Sequence, residues 1–150
     1  MSILNTRKFD ILRGYPNGSG LVWPFPIKKT AGVVNSIPQG TIVTQELQDS
    51  QTVVDAATSP SLAGADPIDM WLVVEGNDDY SGEFVGKCNT VKLGSGVIWE
   101  ADDYAAGAYT PGTPVAVSAG QIKVKAGTEQ IIGYVLEDRT ASKGTVVISS

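Results

Sequence analysis

Histidine is absent from the 150 residues of this chain, and cysteine occurs once, as Cys88. The first absence removes the commonest general base, the commonest metal ligand and every Ser-His-Asp or Cys-His arrangement. The second excludes an internal disulfide and any thiolate metal cluster built within one chain. Charge is also sparse: 18% of residues are Asp, Glu, Lys or Arg, against a usual share of about 25%. No run approaches the ~18 consecutive apolar residues of a membrane-spanning helix. The opening MSILNTRKFDILRGYPNG has neither the continuous apolar stretch nor the small-residue cleavage site of a secretory leader. A soluble, non-secreted protein with no membrane partner is the expectation.

What remains is globular in character. Hydrophobic residues make up 42% of the chain, and the length is that of one ordinary domain with a core of its own. Gly 17 and Pro 8 are both numerous, so turns are frequent and regular elements short. The net charge of −5 is unevenly spread. Residues 1–30 carry Arg7, Lys8, Arg13, Lys28 and Lys29 against Asp10 alone, whereas acids dominate afterwards. An acidic body opposes phosphate, so nucleic acid is not an expected partner. A basic segment can seek an acidic surface, although both regions are also what ordinary solvation provides.

Residues 1–30 read as an extended N-terminal arm and residues 31–150 as a β-rich domain. The run NGSG at 17–20 is a joint, and WPFP at 23–26 cannot be helix interior, because proline removes donors and restricts its predecessor. Phe9, Ile11, Leu12, Tyr15, Trp23 and Phe25 are too apolar for a free tail. They need cover from the domain's own core, a neighbouring subunit or a larger partner.

Strand signals follow: TIVT at 41–44, MWLVV at 70–74, FVGKCNTVKL at 84–93, VIW at 97–99, PVAV at 114–117, QIKVK at 121–125, QIIGYVL at 130–136 and TVVI at 145–148. Gly94-Ser95-Gly96 reads as a hairpin connection between its two neighbours. In 121–125 Ile122 and Val124 face inward and the lysines outward, whereas 130–136 is apolar on both faces, as in a central strand. Residues 46–66 are the least regular and read as a loop with one helical turn. The fold class is all-β, a small β-barrel or β-sandwich with an extended N-terminal arm.

Reactive chemistry is thin. Glu75, Asp78, Asp79 and Glu83 form one acidic cluster and Glu100, Asp102 and Asp103 another, but neither has the alternating order of a calcium loop, and turn acids are usually just solvated. Two carboxylates can form a glycosidase pair, although their separation is invisible in sequence. Gly94-Ser95-Gly96 leads into a strand rather than a helix, so it is no phosphate cradle. Cys88 fits a small buried hydrophobe. Trp23, Trp71 and Trp99 are either core and interface residues or a sugar-stacking platform. No cofactor, metal or catalytic residue is assigned.

The succession PGTPVAVSAG at 111–120, AGTEQIIGYVLED at 126–138 and GTVVIS at 144–149 resembles the C-terminal half of bacteriophage capsid decoration (cement) proteins. GVVNSIPQGTIVT at 32–44 looks like the entry strands of the same small barrel, while residues 46–110 match no part of the pattern. The resemblance implies a β-tulip-like fold and a non-enzymatic, cofactor-free virion protein. It further implies a homotrimer on the outer surface of an icosahedral capsid, clamping neighbouring copies of the major capsid protein. N-terminal segments in such families often lie along the capsid. From their character here, Arg7, Lys8 and Arg13 supply charge and Phe9, Ile11, Leu12, Tyr15, Trp23 and Phe25 the buried area of the expected capsid contact. Removing residues 1–26 is then expected to leave the body folded. The alternatives are another virion part, such as a head-fibre base or tail protein, and a carbohydrate-binding module. An enzyme of unusual carboxylate type is the last option. Exposed Trp71 and Trp99 favour the sugar reading, and burial of both favours the cement reading.

Overall fold

A computed structural model describes residues 9–13, 22–58, 60, 66–77 and 86–150. The protein is all-β, with no helix among these residues. In chain order the strands are β1 Asp10–Arg13, β2 Val22–Pro26, β3 Lys29–Thr30, β4 Val33–Val34, β5 Ile42–Gln48, β6 Gln51–Ala56, β7 Trp71–Glu75, β8 Lys87–Lys92, β9 Ile98–Ala101, β10 Pro114–Ser118, β11 Gln121–Val124, β12 Gly133–Arg139 and β13 Thr145–Ser149. One sheet has the order β1-β9-β13-β12-β10-β11, a second β2-β8-β7-β5-β6, and β3 and β4 form a two-stranded sheet.

Alternation along the five-stranded sheet creates two cores. Leu72, Val74 and Val91 join Trp99, Val115, Val117, Val135 and Ile148 of the six-stranded sheet in the larger one. Val73 and Cys88, on the opposite face, join Phe25, Ile27, Ile37, Val43 and Val54 in the smaller. Burying one such aliphatic or aromatic side chain contributes about 1.5–3 kcal/mol. The sheets are tied where the β10–β11 turn meets β5: Ile42 N donates to Gly120 O at 2.8 Å and Gly120 N to Ala57 O at 2.8 Å. Gly120 has φ +77°, and a Cβ there would lie 2.6 Å from Thr41 Cγ2, so both backbone shape and space call for glycine.

Four local expectations are revised. Residues 46–56 form a hairpin, not a loop with a helical turn: β5 and β6 pair from Val43↔Ala56 to Gln48↔Gln51. The turn places Asp49 and Ser50 at φ 50° and 64°, the left-handed pair that a two-residue hairpin turn needs. Gly94 and Gly96, also at positive φ, form a corner between sheets rather than a hairpin, because β8 pairs with β2 and β7 while β9 pairs with β1 and β13. β12 is central, yet Tyr134 and Leu136 are exposed and only its Val135 side reaches the core. Barrel closure is not found among the described residues: both strand orders are open, and the edges β2 and β6 are joined just beyond Pro26 by a parallel bridge, Ile27↔Val54.

A fifth revision concerns the N-terminal arm. β2 pairs with β8 along its length, from Val22↔Val91 to Pro26↔Lys87. β1 pairs with β9 in the other sheet. A cut at residue 26 would therefore remove an edge strand from each sheet, so residues 1–26 are part of both sheets and their removal is expected to lower the stability of the body.

Candidate functional site

The residues expected to grip a partner are divided between the two sheets. Phe9 and Ile11 are half-buried against the larger core, and Leu12 is exposed. Arg13 closes β1 opposite Ile98. Trp23 and Phe25 share the other face of the molecule, their ring centroids 6.4 Å apart. Trp23 is 55% exposed, whereas Phe25 is 4% exposed and packs edge-on against Trp71 at 5.0 Å. Phe25 is thus a core residue, reachable by a partner only if the sheet opens. Arg7, Lys8 and Tyr15 lie outside the described residues. Part of the segment's positive charge is used internally: Lys28 Nζ sits 2.7 Å from Glu46 Oε1, which raises the lysine's pKa.

Two surfaces have the character of contact sites. The first is on β12 and the segment before it, where Ile131, Tyr134 and Leu136 stand exposed. All three belong to the stretch 126–138. The second is a cleft of about 620 Å3 between β2 and β6, walled by Trp23, Trp71, Gln45, Gln51, Thr52 and Asp69. Phe25, Pro24 and Pro26 complete its lining.

The prolines explain why this cleft exists. Successive N–H groups of an antiparallel strand point to opposite edges. Ile27 N donates to Gly86 O, on the β8 side, at 2.9 Å, and Lys28 N donates to Val54 O, on the β6 side, at 3.0 Å. Residues 24 and 26 share the register of Lys28 and would donate toward β6, but both are proline and have no N–H. Pairing between β2 and β6 therefore starts at Ile27 and Lys28, and the strands stay apart before it. The run WPFP suggests an extended arm, but the same missing donors are the sequence signal of an edge strand.

The one acid of the cleft lining, Asp69, is paired with a lysine beside the cleft. Asp69 Oδ2 lies 3.4 Å from Lys92 Nζ, which stands 6.0 Å from the centroid of the Trp71 ring. Trp71 is half-buried and its Nε1 has no hydrogen-bond partner among the described residues. Trp99 is fully buried, with its Nε1 in the same condition. Of the two tryptophans expected to discriminate sugar binding from cement, one is core and the other faces a cleft.

The acidic clusters separate likewise. Asp78, Asp79 and Glu83 lie outside the described residues, and Glu75 accepts a hydrogen bond from Asn89 Nδ2 at 3.1 Å. Glu100 is buried, with Oε1 accepting from Thr145 Oγ1 at 2.6 Å and Oε2 facing Arg139 Nη1 at 3.2 Å. The Thr145 hydroxyl, helped by Arg139, holds this carboxyl below the usual range. A carboxylate so engaged is a poor proton donor near neutrality. Asp10 is its cross-strand neighbour, on the rim of a cleft of about 490 Å3. Asp103 accepts from Gln121 Nε2 at 2.6 Å. Among the described residues no three His, Cys, Asp or Glu side chains gather as a metal site. Burial pushes the Cys88 thiol up to about 12, which suits a packing residue rather than a nucleophile.

No protein-family model, curated protein or solved structure matches this chain. The functional reading accordingly rests on the surfaces just described and on the sequence pattern of the C-terminal strands.

Proposed function

We propose that this chain is a structural virion protein. It is a decoration, or cement, protein that binds the outer surface of an icosahedral phage capsid and stabilises contacts between major capsid subunits. In this reading it acts as a homotrimer without cofactor, and its two sheets form a sandwich of the β-tulip-like kind. The supporting observation is the exposed apolar strip Ile131, Tyr134 and Leu136. It lies within the stretch whose glycine and valine pattern resembles cement proteins, and aromatic and aliphatic side chains held outward on a rigid strand are typical anchors of a protein interface. Phe25 is withdrawn from the contact set because it supports the fold. Phe9, Ile11, Leu12, Tyr15, Trp23 and the basic Arg7, Lys8 and Arg13 remain in it. Many weak contacts of this kind suffice on a capsid, where repetition multiplies them.

Co-sedimentation with undecorated heads tests the proposal. Saturable binding of the full chain is expected, with loss on Tyr134→Ser and Leu136→Ser together. Sedimentation equilibrium of the free chain checks for a mass three times that of the monomer. No binding by the folded full chain to heads competent for decoration refutes the reading.

A further inference from the structure

A further site is open on the free chain, at the seam that Pro24 and Pro26 keep from zipping, and it shares Trp23 with the proposed capsid contact. We propose that the cleft between Trp23 and Trp71 binds a neutral saccharide, with a sugar ring stacked on the Trp23 indole and its hydroxyls met by Gln45, Gln51, Thr52 and Asp69.

Three features favour that ligand class. The first is the wall itself. Trp23 is the most exposed aromatic residue described, at 55%, and it lines the cleft together with Gln45, Gln51, Thr52 and Asp69. Among the described residues no intramolecular hydrogen bond engages the side chains of Gln45, Gln51 or Thr52. A flat apolar ring beside unengaged planar amides complements a pyranose, which has an apolar C–H face and a polar rim. The volume of about 620 Å3 falls within the range of small-ligand sites, about 300–1,000 Å3.

The second feature is charge. Aromatic walls beside a carboxylate also suit cations, but Lys92 already occupies that role, 6.0 Å from the Trp71 ring centroid and 3.4 Å from Asp69. A cationic ligand must displace it, whereas an uncharged one need not. The third is the edge. A peptide adding as a strand draws its affinity from main-chain hydrogen bonds. On the β2 side, residues 24 and 26 have no donor to offer. The β2 side of the opening is thus unsuited to strand addition, while side-chain recognition remains available.

Saturation-transfer NMR and calorimetry on the full chain test the site, using maltotetraose, cellotetraose, tetra-N-acetylchitotetraose and mannotetraose, with decaproline as a peptide control. At least one tetrasaccharide is expected to saturate, with ring C–H protons receiving the strongest transfer. Trp23→Ala should weaken that binding at least about tenfold, the effect typical of removing an aromatic anchor. Trp23→Phe, which keeps an aromatic face, should retain most of it. Because Trp23 lies largely outside the core, circular dichroism should report a folded variant in both cases. Absence of saturation by all four sugars overturns the proposal. Equal binding by wild type and Trp23→Ala also overturns it, since the sugar then sits elsewhere. Trp23-dependent binding of decaproline in preference to the sugars reassigns the cleft to proline-rich peptide. The assay uses the isolated chain, so its result is independent of any capsid.

Discussion

Replacing Phe25 with alanine separates an arm that merely rests on the protein from a strand that holds it together. The side chain is 4% exposed and belongs to the smaller core with Ile27, Ile37, Val43, Val54, Val73 and Cys88. Its edge meets the Trp71 ring at a centroid distance of 5.0 Å and an interplanar angle of 75°. Truncation of a buried phenylalanine to alanine costs about 3–5 kcal/mol, combining lost transfer energy with the cavity left behind. For a domain near this size each kcal/mol lowers the melting temperature by about 2–4 °C, so Phe25→Ala should melt about 6–20 °C below wild type. Thermal and urea denaturation followed by far-UV circular dichroism measure it. Against a total stability of about 5–15 kcal/mol, such a loss is easily seen. A change within about 0.5 kcal/mol, as at an ordinary surface position, would falsify the placement of β2 in the sheet. Phe25 would then return to the candidate contact residues.

Three further outcomes follow from other parts of the fold. Glu100 has a folded pKa below its unfolded value, so its contribution is present above the unfolded pKa of about 4.3 and is lost as pH falls through the lower folded value. Urea midpoints measured from pH 7 down to pH 3 should therefore drop less steeply in Glu100→Gln than in wild type, and parallel curves would remove Glu100 from the acid response. A Cβ at residue 76 would collide with backbone atoms of Ile37, Pro38 and Gln39, which cannot swing aside as a side chain can. Gly76→Ala is expected to cost about 1–3 kcal/mol or more, and a wild-type melting temperature would show that the Ile37–Gln39 backbone yields. Cys88, its thiol pushed up to about 12 by burial, should resist iodoacetamide at pH 8 in the folded protein and react in urea; rapid native labelling would contradict its place in the core.

Much of the β structure was legible from residue patterns. The alternation in 121–125 anticipates that Ile122 is buried, and the β-branched runs at 70–74, 114–117 and 145–148 lie on β7, β10 and β13. Such features are local: a two-residue period and a glycine turn are written in adjacent residues. The hairpin at 46–56 is hidden in the sequence for a local reason too. Asp49-Ser50 is a weaker turn signal than Asn-Gly, and the polar residues of β5 and β6 masked their alternation. Nor does the apolar run 130–136 reveal that Tyr134 and Leu136 face outward, because local hydrophobicity does not say whether a second face has a neighbour.

Contact between distant segments decided the rest. Nothing near Trp23 in the chain announces β8, about seventy residues away, whose Thr90 hydroxyl donates to the Trp23 carbonyl at 2.8 Å. The corner at Gly94-Ser95-Gly96 likewise depends on which partners β8 and β9 find, not on the turn. The cleft is the clearest case. Its tryptophans, glutamines and threonine come from β2, β5, β6 and β7, and none of them forms a motif. Proline supplies the local cause, a missing N–H, but only the approach of β6 turns that missing donor into a gap with walls.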